Sequence, residues 1–339
     1  MAYKRTGLQT VRLENPPAIY SYYSIVGPKE GEGPLKKYFD MIIEDDLWGE
    51  ESFEKAERKI QEECIKGAIN KAGLSIIDMD YLIAGDLLNQ IIATGYSARQ
   101  LAIPFYGLYG ACSTMTESLS LGAMLIDGGF ADKLVCATSS HFSTAERQFR
   151  FPLEYGSQRS FSAQWTVTGA GATILSQDGV GPYIKYITTG KIIDAGITDS
   201  SNMGAAMAPA AMDTLIHHFQ DTGTSPDYYD LIITGDLGYV GKEIVLDLMK
   251  KEGYNLKGIF TDCGVEIFNH NEQDTHAGGS GCACSATVLN GYILGEMQKG
   301  KLSKVLFMAT GALHSTMATQ QGESIPCIAH AITIENSKK

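Results

Sequence analysis

The chain has 339 residues, of which 44% are hydrophobic and 19% are charged, and these proportions are typical of a globular protein with a buried core. Its net charge of -12 argues against nucleic acid as a partner, because phosphate binding requires clustered Lys and Arg, which the sequence lacks. It has neither a run of roughly 18 apolar residues nor a signal-peptide core, which predicts a soluble chain made in the cytoplasm. The seven cysteines form no zinc-type pairs and are odd in number, which indicates reduced thiols.

The apolar residues recur in patterns typical of helices and strands that alternate along the chain. Three- and four-residue spacing predicts a helix over 51–73, and a buried strand follows within 78–88. A second helix is predicted over 110–129 and a second buried strand over 132–141. Strands that are apolar on both faces and alternate with helices indicate an α/β fold whose sheet is covered by helices on both sides.

The second half of the sequence repeats the order of elements found in the first half. Residues 111–144 align without a gap with 283–316 at a constant offset of 172. Upstream, 81–87 aligns with 231–237 at an offset of 150. The second half therefore carries an insertion of 172 minus 150, or 22, residues between these segments.

This duplication predicts two halves, residues 1–180 and 181–339, related by a pseudo-twofold axis, with a site where equivalent helix N-termini meet. Two stretches, "ARQLAIPFYGLYGACS" at 98–113 and "GGSGCACSATVL" at 278–289, resemble the thiolase superfamily, most nearly the ketoacyl-ACP synthases that start fatty-acid chains. The resemblance implies a five-layer α-β-α-β-α fold, in which two mixed sheets enclose a central helix layer. It also implies a homodimer formed through the first half.

The same resemblance assigns Cys112 to the position of the catalytic cysteine. In that superfamily the thiolate lies at a helix N-terminus, where the dipole and free backbone N–H groups lower its pKa, and His or Asn partners handle the protons. The first partner is expected after the second-half strand, where this chain reads Thr-Gly-Asp at 234–236, and the second at the glycine pair 278–279. Because a glycine has no side chain to move a proton, we predict that Cys112 lacks its partners and that the chain is not an enzyme.

Three further stretches resemble a thiolase-like family of stage V sporulation proteins from endospore-forming bacteria, at 15–35, 147–159 and 261–286. This resemblance implies binding of pyridine-2,6-dicarboxylic acid (dipicolinate) and a part in moving it into the developing spore and out at germination. It also implies docking on integral membrane proteins of the same transport complex, and hence a peripheral place at the spore inner membrane. No cofactor is expected, although calcium is a candidate co-ligand because dipicolinate chelates it.

Seven residues are expected to form the ligand site: Cys112, Ser113, Asp86, Asp236, His141, His314 and Gly279. Carboxylates beside an anionic ligand require a cation, a proton or water between them, which is a further reason to consider calcium. These residue types also have structural alternatives. Buried cysteine is usually part of a core, aspartate caps helices or braces turns, and histidine is often a satisfied structural residue.

Weaker candidates are the three arginines of the segment 147–159, which are Arg147, Arg150 and Arg159. One of them could pair with a ligand carboxylate, whereas the ordinary expectation is that such charges are solvated. Two other functions stay open. An acyltransferase would form a thioester on Cys112 with His276 or His314 recruited as base, and a scaffold with an inactive pocket would bind neither ligand nor acyl group.

Overall fold

The computed structural model describes residues 3–149 and 159–338. The strands of these ranges are Thr10–Arg12 (β1), Ala18–Val26 (β2), Met41–Ile42 (β3), Tyr81–Gly85 (β4), Phe105–Leu108 (β5), Lys133–Ser140 (β6), Trp165–Thr166 (β7), Gly169–Ser176 (β8), Tyr183–Thr188 (β9), Leu231–Thr234 (β10), Phe260–Asp262 (β11), Gly279–Ser280 (β12), Lys304–Ala312 (β13) and Cys327–Glu335 (β14).

The α-helices of the same ranges are Pro28–Gly31 (α1), Phe53–Lys71 (α2), Ile92–Leu101 (α3), Thr114–Asp127 (α4), Phe142–Phe149 (α5), Met203–Thr222 (α6), Gly238–Lys251 (α7), Cys263–Glu266 (α8), Cys282–Thr287 (α9), Leu294–Gln298 (α10) and Thr316–Gln320 (α11). A π-helical segment, Val288–Ile293, connects α9 to α10. No helix in these ranges is long and apolar enough to cross a membrane.

Ten of the strands form the main path of one hydrogen-bonded sheet, in the order β11-β10-β13-β14-β9-β2-β8-β6-β4-β5. From either end inward, the path shows the same order of parallel and antiparallel strand pairs. In the first half, β4 lies between its parallel neighbours β5 and β6, and in the second half β10 lies between its parallel neighbours β11 and β13. The next pairs inward, from β6 to β2 and from β13 to β9, are antiparallel. The halves join where Ala18 of β2 faces Tyr183 of β9. Each half therefore contributes one mixed five-stranded half-sheet.

Helices pack on both faces of these two half-sheets. α4 lies between them, against β4, β6 and β8 on one side and β13 and β14 on the other, and α9 packs beside it. α2 and α3 cover the outer face of the first half-sheet, and α6 and α7 cover that of the second. Buried apolar clusters fill the spaces between layers, and the central one contains Leu119, Leu134 and Phe307. The predicted five-layer thiolase-like α/β fold is confirmed.

The duplication extends to the signals that begin and end the outer helices. The Ser52 side chain caps the start of α2, and the Asn202 side chain caps the start of α6. The chain leaves α2 through Gly73 and α6 through Gly223, both in the left-handed region where glycine carries no steric penalty. Ser52 and Asn202 are 150 positions apart, as are Gly73 and Gly223, which is the offset found between the two halves. The division of the chain at residue 180 falls between β8 and β9 and stays a prediction.

Candidate functional site

A cavity of about 750 Å³ lies between the two halves and is lined by residues from both. The first-half wall comes from the chain after β4 and β5, the turn before α4, and α5. The second-half wall comes from the chain after β10 and β13 and the start of α6. The cavity thus lies at the carboxyl ends of parallel strands, where α/β folds commonly bind ligands. Three of the seven expected site residues line it, namely Cys112, Asp236 and His314.

Cys112 lies in the single 3₁₀ turn that precedes α4. Ala111, before it, has a φ of +50°, a left-handed conformation that is uncommon for a residue with a side chain and turns the chain sharply into the helix. Ser113 Oγ donates to Gly110 O at 2.6 Å and holds the turn. Cys112 is half-buried in the cavity wall, whereas Ser113 is fully buried behind it.

Asp236 follows β10 and is the carboxylate that meets Cys112. Its Oδ1 accepts from Thr310 Oγ1 at 2.7 Å, and its Oδ2 accepts from Gly281 N at 3.1 Å. The Cys112 side chain lies close enough to the same carboxylate for the two groups to influence each other's pKa. Asp236 is itself almost fully buried, although both residues line the cavity.

Burial dominates the ionisation of Cys112 and Asp236, and their proximity modifies it. Burial is the main cause that raises the pKa of the Cys112 thiol well above its usual value, and the Asp236 carboxylate adds to it because two negative charges repel. Burial also raises the pKa of Asp236, against hydrogen bonds that favour its carboxylate. A helix N-terminus alone would favour a thiolate, but here the sulfur stays protonated, and a protonated thiol is a poor nucleophile.

The glycine pair at 278–279 leaves no room for a second catalytic partner. An added Cβ at Gly279 would lie 2.9 Å from Ile267 Cγ2, and one at Gly278 would lie 2.6 Å from Gly264 O. Gly278 also has a φ of +102°, which favours glycine. Backbone crowding therefore excludes a side chain at Gly278, and a side chain at Gly279 would force Ile267 to move. Gly279 lies behind the cavity wall, where its carbonyl accepts from Gln164 Nε2 at 2.8 Å.

Asp86 does not share the cavity with Asp236, its equivalent in the second half. It is fully buried behind the wall, where Oδ1 accepts from Leu88 N at 2.8 Å. Its Oδ2 accepts from Thr94 N at 2.7 Å and from Thr94 Oγ1 at 2.6 Å. These bonds brace the connection between β4 and α3, so the expectation that Asp86 faces the cavity is corrected to the structural alternative.

His141 also lies behind the wall. Ser143 N donates to its Nδ1 at 3.1 Å, so Nε2 carries the proton and donates to Asp46 O at 2.8 Å. Burial lowers the pKa of this imidazole. Both ring nitrogens are therefore engaged with the backbone, away from the cavity.

Of the two histidines considered as bases, His314 shares the cavity with Cys112 and His276 does not. His314 Nδ1 lies 3.3 Å from Thr319 Oγ1, and burial lowers its pKa. His276 Nδ1 donates to Ser160 O at 2.7 Å, and its Nε2 lies 2.9 Å from Asp274 Oδ1. His276 thus contacts the wall residue Ser160 without lining the cavity itself.

The three arginine candidates differ in their position relative to the cavity. Arg159 lines the cavity, and its Nη2 donates to Asp274 Oδ2 at 2.9 Å. Arg147 pairs instead with Glu54 Oε1 at 2.7 Å and lies outside the wall. Arg150 lies outside the described residues.

Gln164 is a site residue that the sequence analysis does not identify. Its Nε2 donates to Asp236 O at 2.7 Å and to Gly279 O at 2.8 Å, and its Oε1 is buried with no partner among the described residues. The strand that follows it, β7, pairs in parallel with β12. Two-residue strands have no periodicity to detect, and Gln164 and Gly279 are 115 positions apart, so the sequence carries no signal for this contact. Other wall residues missed in the same way are Tyr109, Phe149 and Met203.

Metal ligands were sought among the same side chains. No group of three or more His, Cys, Asp or Glu residues that could hold a metal ion occurs in the part of the chain that the structure describes. The carboxylates among the described wall residues are Asp236 and Glu146.

Comparisons with known proteins agree with this fold. A family model described as Stage V sporulation protein AD matches residues 7–335. A curated protein of that name from Bacillus subtilis (strain 168) is 47% identical over 334 residues, which cover 98% of each chain.

Two solved structures illustrate the likeness in fold. The 3-oxoacyl-(acyl-carrier-protein) synthase III from Aquifex aeolicus VF5 aligns with a TM-score of 0.59 and 13% identity, over 94% of this chain and 99% of that one. An OleA variant from Xanthomonas campestris, solved with cerulenin, aligns with a TM-score of 0.62 and 12% identity, over 96% and 97% of the two chains. At these identities the likeness shows the fold alone.

We expect iodoacetamide to modify Cys112 slowly at neutral pH and faster as the pH rises, because the thiolate reacts and the pKa of this thiol is raised. Asp236→Asn removes the neighbouring charge, and the Thr310 hydroxyl can reverse its role and accept from the new amide. The rate at mildly alkaline pH should then rise by roughly tenfold or more, since a nearby charge shifts a pKa by about 1–3 units. Mass spectrometry of the Cys112 peptide measures the rate.

Asp178→Asn makes the same charge change at an exposed position and serves as the matched control, with no expected effect on the rate. Identical pH profiles for wild-type and Asp236→Asn protein would contradict the electrostatic coupling of Cys112 to Asp236.

Proposed function

The chain belongs to the stage V sporulation protein AD family, and on that premise we propose that its cavity binds dipicolinate and does not carry out catalysis. In this proposal the protein serves a complex that moves dipicolinate into the developing spore and out at germination. Docking on integral membrane proteins of that complex would hold the chain peripherally at the spore inner membrane. The observation that carries the proposal is the contact between Cys112 and buried Asp236, at the position expected for a catalytic base.

The size and chemistry of the cavity support a small aromatic acid as ligand. Its volume of about 750 Å³ falls within the range of small-molecule sites, roughly 300–1,000 Å³. Tyr109 and Phe149 suit a planar ring, and Ser280, Gln164 and Arg159 supply polar atoms for carboxyl groups. This combination of an apolar wall and a few polar groups is typical of ligand-binding sites.

The charges in the wall favour a ligand that does not enter as a bare dianion. The Asp236 carboxylate lines the cavity and disfavours two further negative charges. We propose that dipicolinate binds with one proton or as its calcium chelate, in which the ligand itself supplies most of the calcium coordination. No other cofactor belongs to the proposal.

An acyltransferase is the second candidate function, and the observation that favours it is that His314 lines the same cavity as Cys112. That reaction would require a base to take the thiol proton, whereas burial and the Asp236 carboxylate raise the pKa of the Cys112 thiol and oppose its ionisation. A scaffold with an inactive pocket is the third candidate and would bind neither dipicolinate nor an acyl group.

We also propose a homodimer formed through the first half, supported by the free edge of the main sheet. β5 ends the sheet path, and its Phe105 and Tyr106 are 36% and 55% exposed. The strand at the opposite end, β11, differs, because its Phe260 is 7% exposed. A free edge strand with exposed aromatic side chains favours pairing with a second copy of the chain.

Titration calorimetry with dipicolinate, with and without calcium, should give saturable binding to the purified chain. Ala312→Phe fills part of the cavity beside the end of β13 and should weaken that binding by roughly tenfold or more, because a bulky ring takes the space of the ligand. Ala195→Phe adds the same side chain at an exposed position outside the wall and should bind as the wild type does.

Two results would count against the binding proposal. Absence of saturable binding to the folded wild-type chain in both conditions would overturn it. Equal binding by the two phenylalanine variants would show that the ligand lies outside this cavity.

Sedimentation velocity should give a dimer for the wild type and a monomer for Tyr106→Lys, because a charge on the free edge of β5 opposes strand pairing. Tyr3→Lys is the matched control, since it makes the same substitution at an exposed residue outside β5, and it should remain dimeric. A dimeric Tyr106→Lys protein would contradict pairing through this edge.

A further inference from the structure

Arg159 precedes β7 and lines the cavity. Among the wall residues within 3–149 and 159–338, it is the only Lys or Arg, and it faces a wall that also contains Asp236 and Glu146. The described wall thus holds one permanent positive charge. The position of that charge determines where a carboxylate of the ligand is most stable.

The protein fixes one side of the Arg159 guanidinium. Its Nη2 donates to Asp274 O and to Asp274 Oδ2, each at 2.9 Å, and its guanidinium carbon lies 4.9 Å from the centroid of the Trp165 ring. Trp165 is held in turn by the pairing of β7 with β12 and by stacking on Phe142, with ring centroids 3.7 Å apart. The Arg159 side chain is 11% exposed in this position.

The other side of the guanidinium is unpaired. Nη1 is buried and makes no hydrogen bond within the described part of the chain. A buried donor without a partner is unfavourable, so the guanidinium gains a hydrogen bond if the side chain turns to present Nη1 to a ligand in the cavity. A carboxylate is the natural partner, because the guanidinium presents its N–H donors in a planar fork that matches two oxygens.

We propose that Arg159 binds a carboxylate of the ligand and makes the cavity selective for acids. This inference rests on the proposed function and deepens it by naming the anchoring residue. The remainder of the ligand then faces the wall formed by Cys112 and Asp236, where a second carboxylate is disfavoured unless it carries a proton or calcium.

Arg147 provides a contrast within the same segment. It pairs with Glu54 Oε1 at 2.7 Å, has an exposed side chain, and does not line the cavity. Replacing Arg147 therefore removes the same charge from the chain without removing it from the site.

Titration calorimetry on the full chain can use two probes of the same shape, dipicolinate and its neutral diamide, pyridine-2,6-dicarboxamide. The wild type should prefer dipicolinate. Arg159→Gln should lose dipicolinate affinity by roughly 30-fold or more and keep its affinity for the diamide, so the preference disappears. Arg147→Gln should match the wild type, and Arg159→Lys should keep the preference with weaker binding.

A further variant tests the inference without changing the arginine. Asp274 is 73% exposed, so Asp274→Asn should fold normally. It removes the negative charge that competes for Nη2, and dipicolinate affinity should rise by roughly two- to fivefold.

The outcomes separate the two proposals. No binding of dipicolinate by the folded wild type would overturn the proposed function. Wild-type binding with an unchanged preference in Arg159→Gln would overturn the role of Arg159 and leave the proposed function standing. If the melting curve of Arg159→Gln shows that this variant does not fold, the other two variants provide the test. Loss of the preference for dipicolinate in Arg159→Lys, or no gain in dipicolinate affinity in Asp274→Asn, would then overturn the inference.

Discussion

Burial and the neighbouring Asp236 carboxylate raise the pKa of the Cys112 thiol, and the proposed function of the cavity depends on this interaction. The duplication brings the two groups together, because one precedes α4 in the first half and the other follows β10 in the second. A thiolate and a carboxylate cannot both be stable at close range in a buried site, so the sulfur keeps its proton. The raised pKa of the Cys112 thiol is therefore the electrostatic feature on which the proposed non-catalytic role rests.

The backbone around Cys112 and Asp236 also restricts which side chains can occupy the site. Gly278 has no space for a side chain, and Gln164 bridges Gly279 O to Asp236 O instead. Pairing of β7 with β12 holds the bridge in place, and the segment that carries Gln164 also brings Arg159 to the wall. One local strand pairing therefore positions both the Gln164 bridge and the positive charge that the proposal assigns to an acidic ligand.

The sequence predicted the fold well because the offset of 150 preserves helices, caps and strand ends in both halves. The site was less predictable, since Asp86 and Asp236 occupy equivalent positions and have different roles. Asp86 accepts from Leu88 N, whereas at the equivalent position Gly238 N donates to Asp262 of β11, which leaves Asp236 available to the cavity. This difference depends on Asp262 of β11, a strand from another part of the second half. A local sequence pattern cannot reveal a contact of that kind.

The most direct test of this account is whether Cys112 accepts an acyl group. Mass spectrometry of the intact protein and its peptides, after incubation with acetyl-CoA, detects a thioester at that residue, and Cys112→Ala controls for acylation elsewhere. The account predicts no adduct on Cys112, because its thiol stays protonated beside Asp236. A stoichiometric acetyl adduct on Cys112, absent from Cys112→Ala, would contradict the account and make the chain an acyltransferase.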